Sequence, residues 1–343
     1  MGFFRFFLAA GIVYIHTATE LKDAGSGENH ILVDLWAYDA TGIINSFFII
    51  SGFIILLTLN KNYHSKEQNY ITQSSKFYIN RILRIFPLYY LSIIIFYADV
   101  LLLNIIRPSA YAELFPIILD IKYILSNMLL IFQDSFFGIS LVNSVAWSLD
   151  IELHWYLFAP FLYYFFYFKY NLIFTRIILY TVIILYPVIN ISTYIPFIFG
   201  FLIYDFYLIY QSKFNEKISL NILLAVSTFL ICFPLIVDLN YDNLPGNILY
   251  IVSALVCFSV NFKNRIDKFF GDLSYPIFIL HQPLFFIIFL QTNKYGSIVG
   301  IDRDEFFMTI FLISMVIFSA ACYLILLLFQ YPLDRLRNKI KLL

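Results

Sequence analysis

The chain has 343 residues, of which 61% are hydrophobic and 20% aromatic while only 13% carry charge, a balance that excludes a soluble globular domain of this length. Lys and Arg equal Asp and Glu in number, for a formal net charge of +0, so no excess of positive charge argues for nucleic acid. Apolar runs recur from end to end between short polar breaks, the pattern of an all-α, polytopic transmembrane helical bundle.

Windows of about 20 apolar residues place spans near 3–21, 35–59, 81–106, 145–168, 172–190, 193–211, 219–238, 245–262, 272–291 and 305–331, about ten in all. The first, FFRFFLAAGIVYIHTATEL, carries Arg5 and His16 in otherwise apolar surroundings. It ends in Ile15, His16 and Thr17 rather than a small-residue cleavage site, so it reads as a retained helix and not a removable signal peptide. At about 100° per residue the two polar side chains share one helix face, about 16 Å apart along the axis. Arg5 can snorkel to a membrane surface, whereas His16 lies near mid-depth and needs a partner, a cavity or a chemical role.

The second span contains NSFFIISGFII, where Ser46, Ser51 and Gly52 point first to close helix packing. The third opens with FYINRILRIFPLYYL, which sets Arg81 and Arg84 three positions apart and so on neighbouring positions of one face. They are either ordinary cytoplasmic topology markers or, with Arg5, a clamp for an anionic cofactor. The longest extramembrane piece, residues 107–144, includes FPIILDIKYILSNMLLIF and is expected outside the cytoplasm, as an interfacial or re-entrant segment and a candidate lid. The fourth span begins AWSLDIELHWYLFAP, placing Asp150, Glu152 and His154 just below the outer interface beside the belt aromatics Trp147, Trp155 and Tyr156. Glu152 reads either as a group that accepts a proton or holds a His, or as half of a salt bridge. The ninth span, GDLSYPIFILHQPLFF, sets Ser274 near the inner surface and His281 seven residues deeper. Its Pro276 and Pro283 free backbone carbonyls, one of which His281 can bind.

Cys232, Cys257 and Cys322 all sit in apolar runs and read as small buried side chains, with no disulfide framework and no metal site. With the first residues inside, 17 of the 22 Lys and Arg fall on inner segments and 5 on outer ones. That asymmetry predicts both termini in the cytoplasm. No fixed-period repeat, linker or soluble appendage stands out, so residues 1–343 are expected to form a single membrane-embedded domain.

The order of these motifs resembles the acyltransferase-3 family of integral membrane acyltransferases. The resemblance rests on Arg5 with His16, FFIISGFII, RILR followed by a Pro, AWSLDIE and LSYPIFILH, and so runs from Arg5 to His281. It implies transfer of an acyl group, commonly acetyl, from cytoplasmic acyl-CoA to a hydroxyl of a cell-envelope or exported glycan, by a multi-pass protein of the bacterial inner membrane. On that reading His16 is the leading catalytic residue, assisted by Glu152, and Arg5, Arg81 and Arg84 hold the donor's phosphates. Ser51, Trp147, Asp150, Ser274 and His281 are expected along the substrate path. Asp150 departs from the family pattern, which has a small residue more often at that place. From the residues alone, a transporter or flippase for lipid-linked glycans is the alternative, since it too needs buried polar groups and kinked helices.

Overall fold

The computed structural model describes residues 1–23, 40–62, 69–106, 120–130, 142–169, 172–185, 192–213, 244–258, 264–295 and 303–342. These residues are helical almost throughout and contain no strand. The α-helices are α1 (Gly2–Asp23), α2 (Ala40–Asn62), α3 (Tyr70–Ile106), α4 (Ile121–Leu129), α5 (Trp147–Tyr163), α6 (Ile173–Leu185), α7 (Ile195–Lys213), α8 (Leu244–Phe258), α9 (Arg265–Tyr295), α10 (Arg303–Ile325) and α11 (Tyr331–Leu342). Short 3-10 turns lead into α5 and α7, and π-helical segments follow α5 (Tyr164–Lys169) and α10 (Leu326–Gln330).

Among the described residues, three stretches are long and apolar enough to cross a bilayer by themselves: Ala40–Lys61, Tyr70–Leu102 and Met315–Leu336. Gly2–Thr17, Ile195–Ile209 and Leu249–Phe258 are shorter apolar helices. The expected span at 219–238, and Asp34 and Asp39 at the expected start of the second, lie outside the described residues. Two helices begin well before their apolar windows, α3 at Tyr70 rather than 81 and α9 at Arg265 rather than 272. The polar turns Tyr70–Asn80 and Arg265–Gly271 continue the same helices beyond the apolar runs.

Side-chain partners fix the helix directions. Phe3 and Phe6 pack edge-on against Phe270 while His16 meets His281, so α1 and α9 are parallel. Ile85 with Tyr275, and Ser92 with Ile279 through Asn143, give α3 the same direction. Phe48 with Phe197, and Phe53 with Tyr204 and Tyr207, make α2 and α7 parallel. Tyr78 with Leu157 and Tyr70 with Tyr164 set α5 antiparallel to α3.

Two glycine contacts allow the closest approaches. A Cβ on Gly52 would collide with the Phe197 carbonyl, and one on Gly200 with the Ile49 carbonyl, so α2 and α7 cross backbone to backbone. Gly2 and Gly271 meet in the same way at the start of α1 and within α9. Gly52 thus serves the packing role its sequence context suggested. Arg176, one of the 17 Lys and Arg counted on the inner side, is 1% exposed and buried within the bundle. Its guanidinium pairs with Asp205 of α7 at 2.8 Å and stacks on Tyr167 at 3.8 Å.

Candidate active site

The site is built on α1, α3, α5 and α9, with α2 closing one side. Arg5 stands one turn into α1, within electrostatic reach of Arg84, Arg81, Glu152 and Tyr156. Two cavities meet at this level. The lower one, about 570 Å³, opens among Arg5, Arg84, Arg265, Lys268, Asp272, Tyr275 and Asp334. The upper one is lined by Arg5, Phe47, Ser51, Ser148, Glu152, Ser274, Tyr275 and Phe278. Arg5 and Tyr275 belong to both walls, so a polar path continues from the mouth to Phe278.

Just beyond Phe278 the histidines of α1 and α9 meet. His16 Nδ1 lies 2.9 Å from His281 Nε2, and His281 Nδ1 lies 2.7 Å from the Phe278 carbonyl oxygen. His281 is 2% exposed, while His16 is half-buried. The prolines free the carbonyls of Asp272 and Ile279, whereas His281 bonds the neighbouring Phe278 carbonyl instead; the bond to His16 was not anticipated. Pro283 has no N–H to give to the Ile279 carbonyl, four residues earlier. Asn143 Nδ2 supplies that donor at 2.8 Å, from the turn that precedes α5.

This arrangement of a basic mouth, a polar channel and a paired histidine spans the chain from Arg5 to His281. A family model described as an acyltransferase domain matches residues 1–328. The chain belongs to the acyltransferase-3 family. No curated protein and no solved structure gives a significant match.

In this acyltransferase the expected residues divide into those the structure brings together and those it does not. Arg5, Arg84, Ser51, Ser274 and Glu152 line the two cavities. Ser274 Oγ donates to the Gly271 carbonyl at 2.8 Å, so its hydroxyl oxygen retains lone pairs toward the channel. Arg81 points elsewhere: it is 6% exposed, its guanidinium held over the rings of Phe77 at 5.1 Å and Tyr156 at 4.8 Å. Three residues of helix rotate the two arginines far enough apart that only Arg84 reaches the mouth.

Glu152 sits deeper than a position just below the outer surface. Tyr156 donates its hydroxyl to Glu152 Oε1, and the pair lies at the arginine level, whereas the group beside His16 is His281. The cause is the turn before α5. Val142, Asn143, Val145 and Ala146 are all buried, and Asn143 is bonded to α9 and to Ser92 of α3, so α5 starts inside the bundle. Asp150 follows the same displacement; it is 1% exposed and faces His154, 3.2 Å from its Nε2, with Tyr194 bonded to the other ring nitrogen at 2.7 Å. Trp147 packs edge-on against Phe48. Asp150 and Trp147 do not line the cavities described above, and neither do His16 and His281, which lie beyond Phe278 at the channel end.

Asn143, Tyr156 and Tyr275 escaped the sequence reading. For Asn143 a signal existed in half: Pro283 announces a carbonyl without its helical donor, but nothing local says that residue 143 will supply one. Among the described residues no group of His, Cys, Asp or Glu is arranged to hold a metal ion.

Proposed function

We propose that this acyltransferase moves an acyl group, acetyl in the reading favoured here, from cytoplasmic acyl-CoA to a hydroxyl of a cell-envelope or exported polysaccharide. The observation that carries the reading is the shared wall of the two cavities. Arg5 and Tyr275 join a mouth that holds Arg84, Arg265 and Lys268 together with Asp267, Asp272 and Asp334 to a channel that stops at Phe278, whose carbonyl bonds His281 and through it reaches His16.

Guanidinium groups bind phosphate through charge-assisted, often bidentate, hydrogen bonds, so Arg5 and Arg84 would hold the nucleotide end of the donor. The pantetheine arm, with its two amides and hydroxyl, would run past Ser51 and Ser274 toward Phe278. The thioester already has a good leaving group, so the protein's tasks are alignment and removal of the hydroxyl proton. His16 takes that proton as the sugar oxygen bonds to the thioester carbonyl carbon. The C–S bond then breaks, and His16 returns the proton to the departing thiolate, giving an ester and free CoA. Glu152, held by Tyr156, offsets the crowded positive charge of the arginines when the mouth lacks phosphate.

The deciding experiment is His16→Ala in cells and in purified membranes supplied with labelled acetyl-CoA. Loss of a general base costs about 10²–10⁴-fold in rate. Acylation of envelope polysaccharide should therefore fall to background by mass spectrometry at unchanged membrane protein level. Full acylation at normal expression would refute the assignment.

A further inference from the structure

The structure assigns His281 a positioning role: it fixes His16 in the tautomer that carries its hydrogen on Nδ1, leaving the Nε2 lone pair for the substrate. This rests on the acyl-transfer reading above, with His16 as the base.

The direction of the hydrogen bonds follows from the end of the chain. A backbone carbonyl oxygen can only accept, so the 2.7 Å contact at Phe278 requires the hydrogen to sit on His281 Nδ1. A neutral imidazole has one N–H, so His281 Nε2 must then be an acceptor. The 2.9 Å contact from that nitrogen is consequently filled by N–H on His16 Nδ1, and the lone pair of neutral His16 is on Nε2. The reverse order would set two lone pairs against each other at the carbonyl. The relay therefore has a single neutral arrangement. When His16 takes up the hydroxyl proton on Nε2, both its N–H groups have work, and the Nδ1–H already has its acceptor in place without reorganisation.

The relay is anchored from a second side. Pro283 leaves the Ile279 carbonyl without its helical donor, and Asn143 Nδ2 donates to it at 2.8 Å and to Ser92 Oγ at 3.0 Å. That pins the turn of α9 containing Phe278 and His281 to α3 and to the approach to α5. His281 is thus a positioning residue with a locked ring.

Two variants separate positioning from mere packing. His281→Leu removes the acceptor, and His281→Gln places a side-chain carbonyl oxygen near the position of the lost Nε2. With labelled acetyl-CoA, His281→Leu should lower kcat about 10²–10⁴-fold, the range set by general-base catalysis and by a mis-set tautomer. KM for acetyl-CoA should stay within about twofold, because the mouth is untouched. His281→Gln should recover a substantial part of the rate. Independently of turnover, methylation of the protein with iodomethane, followed by isolation of the His16 peptide, should give the Nε2-methyl isomer in the wild type. In His281→Leu the Nδ1-methyl isomer should appear beside it. Wild-type kcat with an unchanged isomer pattern in His281→Leu would overturn the proposal, as would equal loss of rate in both variants with the isomer pattern of the wild type. If the wild type transferred no acyl group from acetyl-CoA, the functional reading would fail, while the isomer ratio would still report the tautomer.

Discussion

Two arginines a single turn apart do different work here. Arg84 lines the mouth beside Arg5, whereas Arg81 is buried between Phe77 and Tyr156, whose hydroxyl holds Glu152. An arginine facing a phosphate contributes charge-assisted bonds worth about 1.5–3 kcal/mol each. Arg84→Ala should therefore weaken acyl-CoA binding about tenfold or more, read by titration of purified protein, with little change in thermal stability. Arg81→Ala leaves a void and removes the cation from two aromatic faces, so it should lower the melting temperature first and affect the donor only through Glu152. Equal losses of affinity with equal stability in both variants would contradict this division. Spacing in the sequence put both residues on one side of a helix, but it could not say which of two neighbouring side chains faces a cavity. Arg176 is the same lesson in another place: a basic residue near a polar break looks like a loop cation, and only its meeting with Asp205 of α7 makes it a buried pair.

The helix ends were the elements least accessible to hydropathy. A window of apolar residues finds the apolar part of α9 but not its first two turns, Arg265–Gly271, where Asp267 Oδ1 accepts the Phe3 N–H at 2.9 Å and the Met1 amine at 3.0 Å. Asp267 thereby caps the exposed N–H groups at the start of α1, a tertiary version of a helix cap. Partial burial pushes the Asp267 carboxyl up, but hydrogen bonds from the Phe3 and Gly2 N–H groups and the nearby terminal ammonium outweigh it and hold the carboxyl below its ordinary range. Folding thus favours the carboxylate. Its contribution is complete above the ordinary Asp value near about 3.9 and disappears as pH falls through the lower folded value. Asp267→Asn should cost roughly 1 kcal/mol at neutral pH, the usual worth of a side-chain cap. In melting curves of detergent-solubilised protein, the gap between wild type and variant should close as the pH is taken below about 4. A gap that stayed constant into acid would show that the carboxylate charge contributes nothing. The glycine at α2 was easier to foresee, because Gly52 among small residues announces a close approach; its partner Gly200 is known only from the packing.

At the scale of the whole molecule the sequence reading and the packing meet on direction. Alternating spans require the first, third and ninth to run one way and the second, fourth and sixth the other. The described α1, α3 and α9 are mutually parallel, α2 and α7 are parallel, and α5 runs against α3. What periodicity and charge could not give was depth, because the start of α5 is drawn into the bundle by Asn143, a contact between residues 136 positions apart. The proposed transfer across the bilayer turns on orientation as well as direction. The mouth with Arg5, Arg84 and Lys268 must face the cytoplasm, where acyl-CoA is made, and Lys122 at the start of α4 must face the opposite side. Single cysteines at Asn264, at the entrance to α9, and at Lys122 test this directly; both positions are exposed, and native Cys257 and Cys322 are buried. A membrane-impermeant thiol reagent should label Lys122→Cys on cells with a permeabilised outer barrier but an intact inner membrane. Asn264→Cys should be labelled only after that membrane is disrupted. Native Cys232, outside the described residues, is replaced by Ser in both variants so that it contributes no signal. Labelling of Asn264→Cys from outside would turn the arginine mouth toward the envelope, away from its donor, and the proposed route from cytoplasmic thioester to envelope hydroxyl would fail with it.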